Sequence, residues 1–118
     1  MVLADTSVWI DHFRHGSEKL NYLLREGQVL CHPFVIGELA CGNLRNRAEI
    51  LRLLGSLPQA PHFGPESILA FIEDRKLSGL GIGLIDVHLL GGALLAHADL
   101  WTEDKRLKTA AHKLKIAF

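Results

Sequence analysis

Residues 2–11, VLADTSVWID, constrain this chain more than any other stretch. Val2-Leu3-Ala4 is short and apolar enough for a buried strand, and a carboxylate follows at once. Leaving Asp5 at the end of a central strand is costly unless something pairs with it. In open α/β sheets the carboxyl ends of the strands are where ligands bind. Thr6 or Ser7 can cap the helix that begins there, and the partial positive charge of a helix start helps keep Asp5 ionised. Asp5 can equally be a turn residue that caps that helix. The rest of the chain decides between these roles, because three more isolated acids stand in comparable places.

The chain of 118 residues reads as one domain, residues 1–118. Hydrophobic residues make up 48% of it, enough for a core without staples. Thirteen basic residues balance thirteen acidic ones, so net charge is zero. That argues against a purely electrostatic nucleic-acid binder but leaves room for a local basic patch. Cys31 and Cys41 have no metal-type spacing and lie in apolar segments, which predicts reduced core residues of a cytoplasmic protein. No signal peptide is expected, since the start lacks a basic region and a long apolar run. Residues 77–101 are long and apolar but contain Ser78, Asp86, His88, His97 and Asp99, interrupted by glycines at 79, 81 and 83. A membrane span would not carry these.

Strands and helices alternate along the chain. Helices are predicted over 7–14, 18–26 (capped by Ser17), 33–44 (opened by Pro33), 47–54, 65–77, 84–98 and 104–113. Strands are predicted over 2–4, 28–31, 99–102 and 115–118, with a further short one near 59–62. This order gives an α/β fold with right-handed crossovers and a parallel sheet of four or five strands. Gly91-Gly92 inside a helix costs about 1 kcal/mol per residue relative to Ala. The pair is expected to allow close packing against another helix or a second subunit.

Glu38 is the only charged residue in PFVIGELACG and has Phe34, Val35, Cys41 and Gly42 at helical spacing. A carboxylate on such a face either pairs with an arginine or faces a functional cleft. Asp86 stands alone in GIGLIDVHLLGGALLA, near a helix start, where a capping or first-turn role is an ordinary explanation. Asp104 follows the predicted strand Leu100-Trp101-Thr102; either it or Glu103 can begin the next helix. Thr102 is placed to hydrogen-bond a neighbouring carboxylate or a metal-bound water. Four acids at the ends of buried elements point to one site. Gathered carboxylates raise one another's pKa, and a hard divalent cation with oxygen ligands removes the conflict. Such an arrangement suits hydrolysis of a phosphodiester. Zinc is not expected, because none of the seven histidines shows an H-E-x-x-H or Cys/His pattern. His12 and His15 read as surface residues, and His88 and His97 as hydrogen-bonded helix residues. No G-x-S-x-G, Walker loop or dinucleotide fingerprint is present.

These residues resemble a PIN domain, and within that family the VapC-type toxins of bacterial toxin–antitoxin pairs. The matching pieces are ADTSVWIDHFR, the lone Glu38 in VIGELACG, GIGLIDVHLL around Asp86 and LWTEDKRL around Thr102 and Asp104, in the family's order across nearly the whole chain. The resemblance implies a three-layer α/β/α fold and an Mg²⁺- or Mn²⁺-dependent endoribonuclease. It implies an acidic, metal-holding pocket of Asp5, Glu38, Asp86 and Asp104, supported by Thr6, Ser7 or Thr102. It further implies a homodimer, inhibited by a cognate antitoxin that enters the cleft. The pair Gly91-Gly92 departs from the family, where Ala is commoner. Affinity for RNA in a neutral chain is assigned to Arg45, Arg47, Lys105 and Arg106, from their charge and not from a family motif. Two alternatives are a catalytically inactive interaction module of the same fold, and an aspartate-nucleophile phosphatase or phosphoacceptor. The second wants an acid two residues after Asp5, where this chain has Ser7.

Overall fold

The structure is a computed structural model and describes residues 1–118. At its centre β1 (Val2–Ala4) lies between β2 (Val29–Leu30) and β3 (Asp99–Trp101), all parallel. Leu3 pairs with Leu30 on one side and Leu100 on the other. Every residue of β1 is buried, the pattern of a parallel strand covered on both faces. The helices are α1 (Thr6–His15), α2 (Glu18–Arg25), α3 (Pro33–Ala40), α4 (Arg47–Ser56), α5 (Pro65–Arg75), α6 (Leu84–Leu95) and α7 (Lys105–Lys113). They cover the sheet as a three-layer α/β/α arrangement, with α6 lying against β1 and β3 and α5 against α6. No helix is long and apolar enough to cross a membrane.

The sheet has three strands where four or five were expected. The two outer segments are present but each pairs through one bridge, Cys31 with Gln59 and Leu100 with Ala117. On the Gln59 side, the Cys31 N–H donates to the Pro58 carbonyl and the Ala60 N–H to the Cys31 carbonyl. The next ladder bond would need an N–H from residue 33, which is a proline and already opens α3. Two helices end three or four residues sooner than expected. The third ends at Ala40, not Leu44, and the guanidinium of Arg47 folds back onto the carbonyls of Ala40 and Gly42. The sixth ends at Leu95, not 98, because His97 turns left-handed (φ 53°) and sends the chain into β3. Cys31 is buried, its thiol pushed up to about 11 by burial. Cys41 is exposed and does not join the core; both thiols are free.

Gly91 and Gly92 pack neither on a helix nor on a second subunit. A Cβ on Gly91 would stand 2.0 Å from Phe63 Cε2, and one on Gly92 would stand 2.9 Å from the Pro61 carbonyl and 3.2 Å from His32 Cδ2. The glycines let the connection after α4 lie directly on α6. His32, fully buried, caps α3 by accepting the Phe34 N–H at Nδ1 (3.0 Å). Its proton therefore sits on Nε2, which has no partner. Burial, with the nearby His88 and His62, pulls its pKa down to about 4, so it stays neutral near pH 7. His88 is buried with Nδ1 unpartnered, contrary to the expectation of a hydrogen-bonded histidine, whereas His97 is exposed.

Two alanine substitutions test this packing. Gly37 in α3 has open space at its Cβ position, so Gly37→Ala should raise stability by about 0.5–1 kcal/mol. Gly92→Ala gains the same propensity but drives a methyl against a backbone carbonyl. Overpacking costs about 1–3 kcal/mol, so the urea midpoint should fall. Midpoints that rise alike in both variants would contradict the packing account.

Candidate active site

Three helices start beside the carboxyl ends of β1 and β3, and each start carries one of the predicted acids. Asp5 is the N-cap of α1 and accepts the Val8 N–H at Oδ1 (3.2 Å). The cap is thus Asp5 itself, not Thr6 or Ser7. Asp104 is the N-cap of α7, accepting the Leu107 N–H at Oδ1 (2.9 Å). Asp86 is the third residue of α6 and reaches back to the N–H of Gly83, the residue before that helix (3.3 Å). Helix starts favour negative charge, so the capping and functional readings of these acids describe the same placement.

Asp5 is held by a double relay. The Asp104 N–H donates to Thr102 Oγ1 (3.0 Å), whose hydroxyl donates to Asp5 Oδ2. The Glu103 N–H donates to Ser7 Oγ (3.1 Å), whose hydroxyl donates to Asp5 Oδ1. Two hydroxyls thereby tie the carboxylate after the first strand to the turn after the last one. Thr102 and Asp5 are both buried. Glu38 arrives from α3. It is exposed rather than a core carboxylate, and no arginine pairs with it; its Oε1 accepts the Thr6 hydroxyl (2.7 Å). Thr6, Ser7 and Thr102 thus each donate a hydroxyl hydrogen bond to an acid.

Asp86 lies in the field of the other three acids. Burial raises the pKa of Asp86 first, against the Gly83 hydrogen bond, and the charges of Asp104, Asp5 and Glu38 raise it further. Burial also raises Asp5, opposed by its bonds to Ser7, Thr102 and Val8. No cationic side chain forms an ion pair with any of the four; the one ion pair in the chain is His15 with Asp11. No three acids stand close enough to enclose an ion by themselves. One oxygen each of Asp86 and Asp104 is free of protein hydrogen bonds.

A groove of about 590 Å³ meets the four acids at Glu38 alone, and is lined besides by Ile10, Phe13, Arg14, Leu44 and Arg45 among others. Arg14 also lines a second groove with Ser7 and Glu103, a placement that sequence reasoning missed. Its signal was its position in the first helix, on a segment already singled out. The Gly83 contact is the first-turn capping role that the sequence offered for Asp86. Of the four basic residues assigned to RNA, Arg45 lines the groove, and Lys105 and Arg106 begin α7 next to Asp104. Arg47 is engaged with the α3 carbonyls.

The relay through Thr102 makes a direct test. Thr102→Val keeps the shape but leaves Asp5 Oδ2 without its donor and the Asp104 N–H without its acceptor. An unsatisfied buried group costs about 1–3 kcal/mol, so urea unfolding should shift down by that order and Thr102→Ser should recover most of it. A valine variant as stable as the parent would remove the relay as a structural tie.

No family model matches the chain. Among curated proteins it is 44% identical over 118 residues to Ribonuclease VapC32 of Mycobacterium tuberculosis, in both strain CDC 1551 and strain H37Rv. The alignment covers 99% of this chain and 95% of that relative. Among solved structures it matches PAE2754 from Pyrobaculum aerophilum with a TM-score of 0.67, covering 99% of this chain and 87% of that one at 16% identity. That likeness concerns the fold. The fold, the four acids gathered at three helix starts and α3, and the identity over nearly the full length agree: this chain belongs to the VapC family of PIN-domain toxins.

Proposed function

We propose that this chain is an endoribonuclease, the toxin of a toxin–antitoxin pair, which hydrolyses RNA phosphodiesters with the help of Mg²⁺ or Mn²⁺. The observation that carries this reading is the raised Asp86, surrounded by the charges of Asp104, Asp5 and Glu38 with no protein cation against them. Membership of a family whose relative is named a ribonuclease supports it.

The donor set fits the proposed ion. All four groups are carboxylates, the oxygen ligands that Mg²⁺ and Mn²⁺ take. Mg²⁺ keeps several waters and binds through one or two carboxylates, so a closed three-acid cage is not required. Asp86 and Asp104 offer free oxygens, while Asp5 and Glu38 complete the acidic wall. When bound, the ion activates a water near neutral pH and offsets charge on the phosphate. The protein's own part is positional. Ser7 and Thr102 lock Asp5 in one orientation, and Thr6 does so for Glu38.

RNA is the proposed substrate, met by Arg45, Lys105 and Arg106, and by Arg47 only if it leaves the α3 carbonyls. The groove that ends at Glu38, with Ile10, Phe13 and Leu44 along it, suits a segment of a cognate antitoxin. A homodimer is supported by Leu69, Leu84 and Leu95, which stand 54–63% exposed on α5 and α6. Two free cysteines accord with a cytoplasmic protein.

The test is incubation of purified protein with a mixed RNA pool, with Mg²⁺ or Mn²⁺ and then with excess EDTA. Asp86→Asn is the control, because its amide oxygen can still accept the Gly83 N–H. Cleavage should require the ion and disappear in the variant. Cleavage that survives EDTA, or a fully active Asp86→Asn, overturns the reading.

Thermal unfolding gives an independent measurement. The raised folded-state values of Asp5 and Asp86 mean that stability without the ion declines as pH rises from the unfolded value near 3.8 through the raised ones. A cation should reverse that loss: at 100-fold above its Kd it adds about 2.7 kcal/mol. The Mn²⁺-induced rise in Tm should be larger at pH 8 than at pH 5, where protons compete. Asp86→Asn should melt slightly higher than the parent without metal and show little response to Mn²⁺. An equal response in parent and variant would dissociate Asp86 from the ion.

A further inference from the structure

The net charge of this chain is zero, so any grip on a phosphate backbone has to come from particular cations that have no other employment. Three of the thirteen are engaged within the chain. Arg47 holds the carbonyls of Ala40 and Gly42, Lys113 Nζ donates to the Lys76 carbonyl (2.8 Å), and Lys19 lies over the rings of Trp101 and Phe118.

Arg106 differs in two ways. It forms no ion pair and no hydrogen bond within the chain, yet its side chain is packed in a built seat. A Cβ on Gly81 would stand 2.8 Å from Arg106 Cδ, 3.0 Å from Nη1 and 3.2 Å from Nε. Gly81 also holds a positive φ of 76°, a conformation suited to glycine. The arginine therefore lies across the glycine-rich turn whose end, Gly83, carries the contact to Asp86. It is itself the second residue of α7, two after Asp104. This is the rim between the two segments that deliver Asp86 and Asp104. A guanidinium is the group best matched to a phosphate, and a side chain already laid on the turn through Cδ, Nε and Nη1 loses less freedom on binding one.

We propose that Arg106, seated on Gly81, is the principal phosphate-binding residue of the site, holding a backbone phosphate of single-stranded RNA against the acidic cleft. This rests on the ribonuclease reading and deepens it, since it selects one residue from the basic set. Lys108 lies on the same helix, is also exposed and lies against no glycine; it serves as the comparison.

The experiment uses Asp86→Asn protein, which should bind without cutting. Its affinity for a labelled mixed-sequence single-stranded RNA is measured by fluorescence anisotropy between 50 and 300 mM KCl. Adding Arg106→Gln should weaken binding by roughly tenfold at low salt and reduce the slope of log K against log salt by about 0.7, the share of one phosphate contact on a single strand. Adding Lys108→Gln instead should change affinity by less than about twofold and leave the slope. Equal losses from the two substitutions would mean diffuse attraction only and overturn the assignment. RNA binding indifferent to Arg106 overturns it while leaving the ribonuclease reading intact. Absence of RNA binding by the Asp86→Asn protein itself overturns both.

Discussion

The buried hydrogen bond from Thr102 to Asp5 spans 97 positions of the chain, and the site depends on it. It joins the turn after β1 to the turn after β3 and sets where α1 and α7 begin. Ser7 and the Glu103 N–H form the parallel branch on the other carboxylate oxygen. A buried Asp with fewer partners would be protonated or would unfold its surroundings. Three donors on Asp5 favour its carboxylate form and oppose the rise in pKa that burial imposes.

Helix-start chemistry and cleft chemistry use the same groups here. Asp5 and Asp104 are N-caps, and Asp86 reaches the backbone before α6. Each satisfies a backbone N–H that its helix would otherwise leave unpaired. Caps of this kind contribute about 1 kcal/mol apiece, which offsets part of the repulsion among the gathered charges. Glu38 is the exception. It sits inside the short helix α3, exposed, and relies on the Thr6 hydroxyl for its position. The arrangement explains why isolated acids at helix starts can be both ordinary caps and parts of a functional wall.

Around this wall, small residues decide how closely the layers approach. Gly92 lets the Pro61 carbonyl rest on α6, and Gly81 lets an arginine stem lie on the turn before it. The buried histidine pair His32 and His88 belongs to the same region but is neutral near pH 7, so it adds packing and capping rather than charge.

The order of elements, the parallel central strand and the four acids were legible in the sequence because local patterns carry them. Apolar runs of three or four residues, Pro33 and Pro65 at helix starts, and lone carboxylates in apolar context need no distant partner to be seen. Element ends were less legible. The third helix stops at Ala40 because Arg47, seven residues on, takes its carbonyls, and the outer strands shrink to single bridges because pairing is settled between segments. Tertiary structure alone decided that Gly91-Gly92 faces a connecting segment, that Glu38 is exposed, and that Thr102 and Ser7 hold opposite oxygens of one carboxylate. Those facts depend on contacts between residues far apart in the chain. Local propensity reads the chemistry a residue can perform; which residue it meets is fixed only when the layers close.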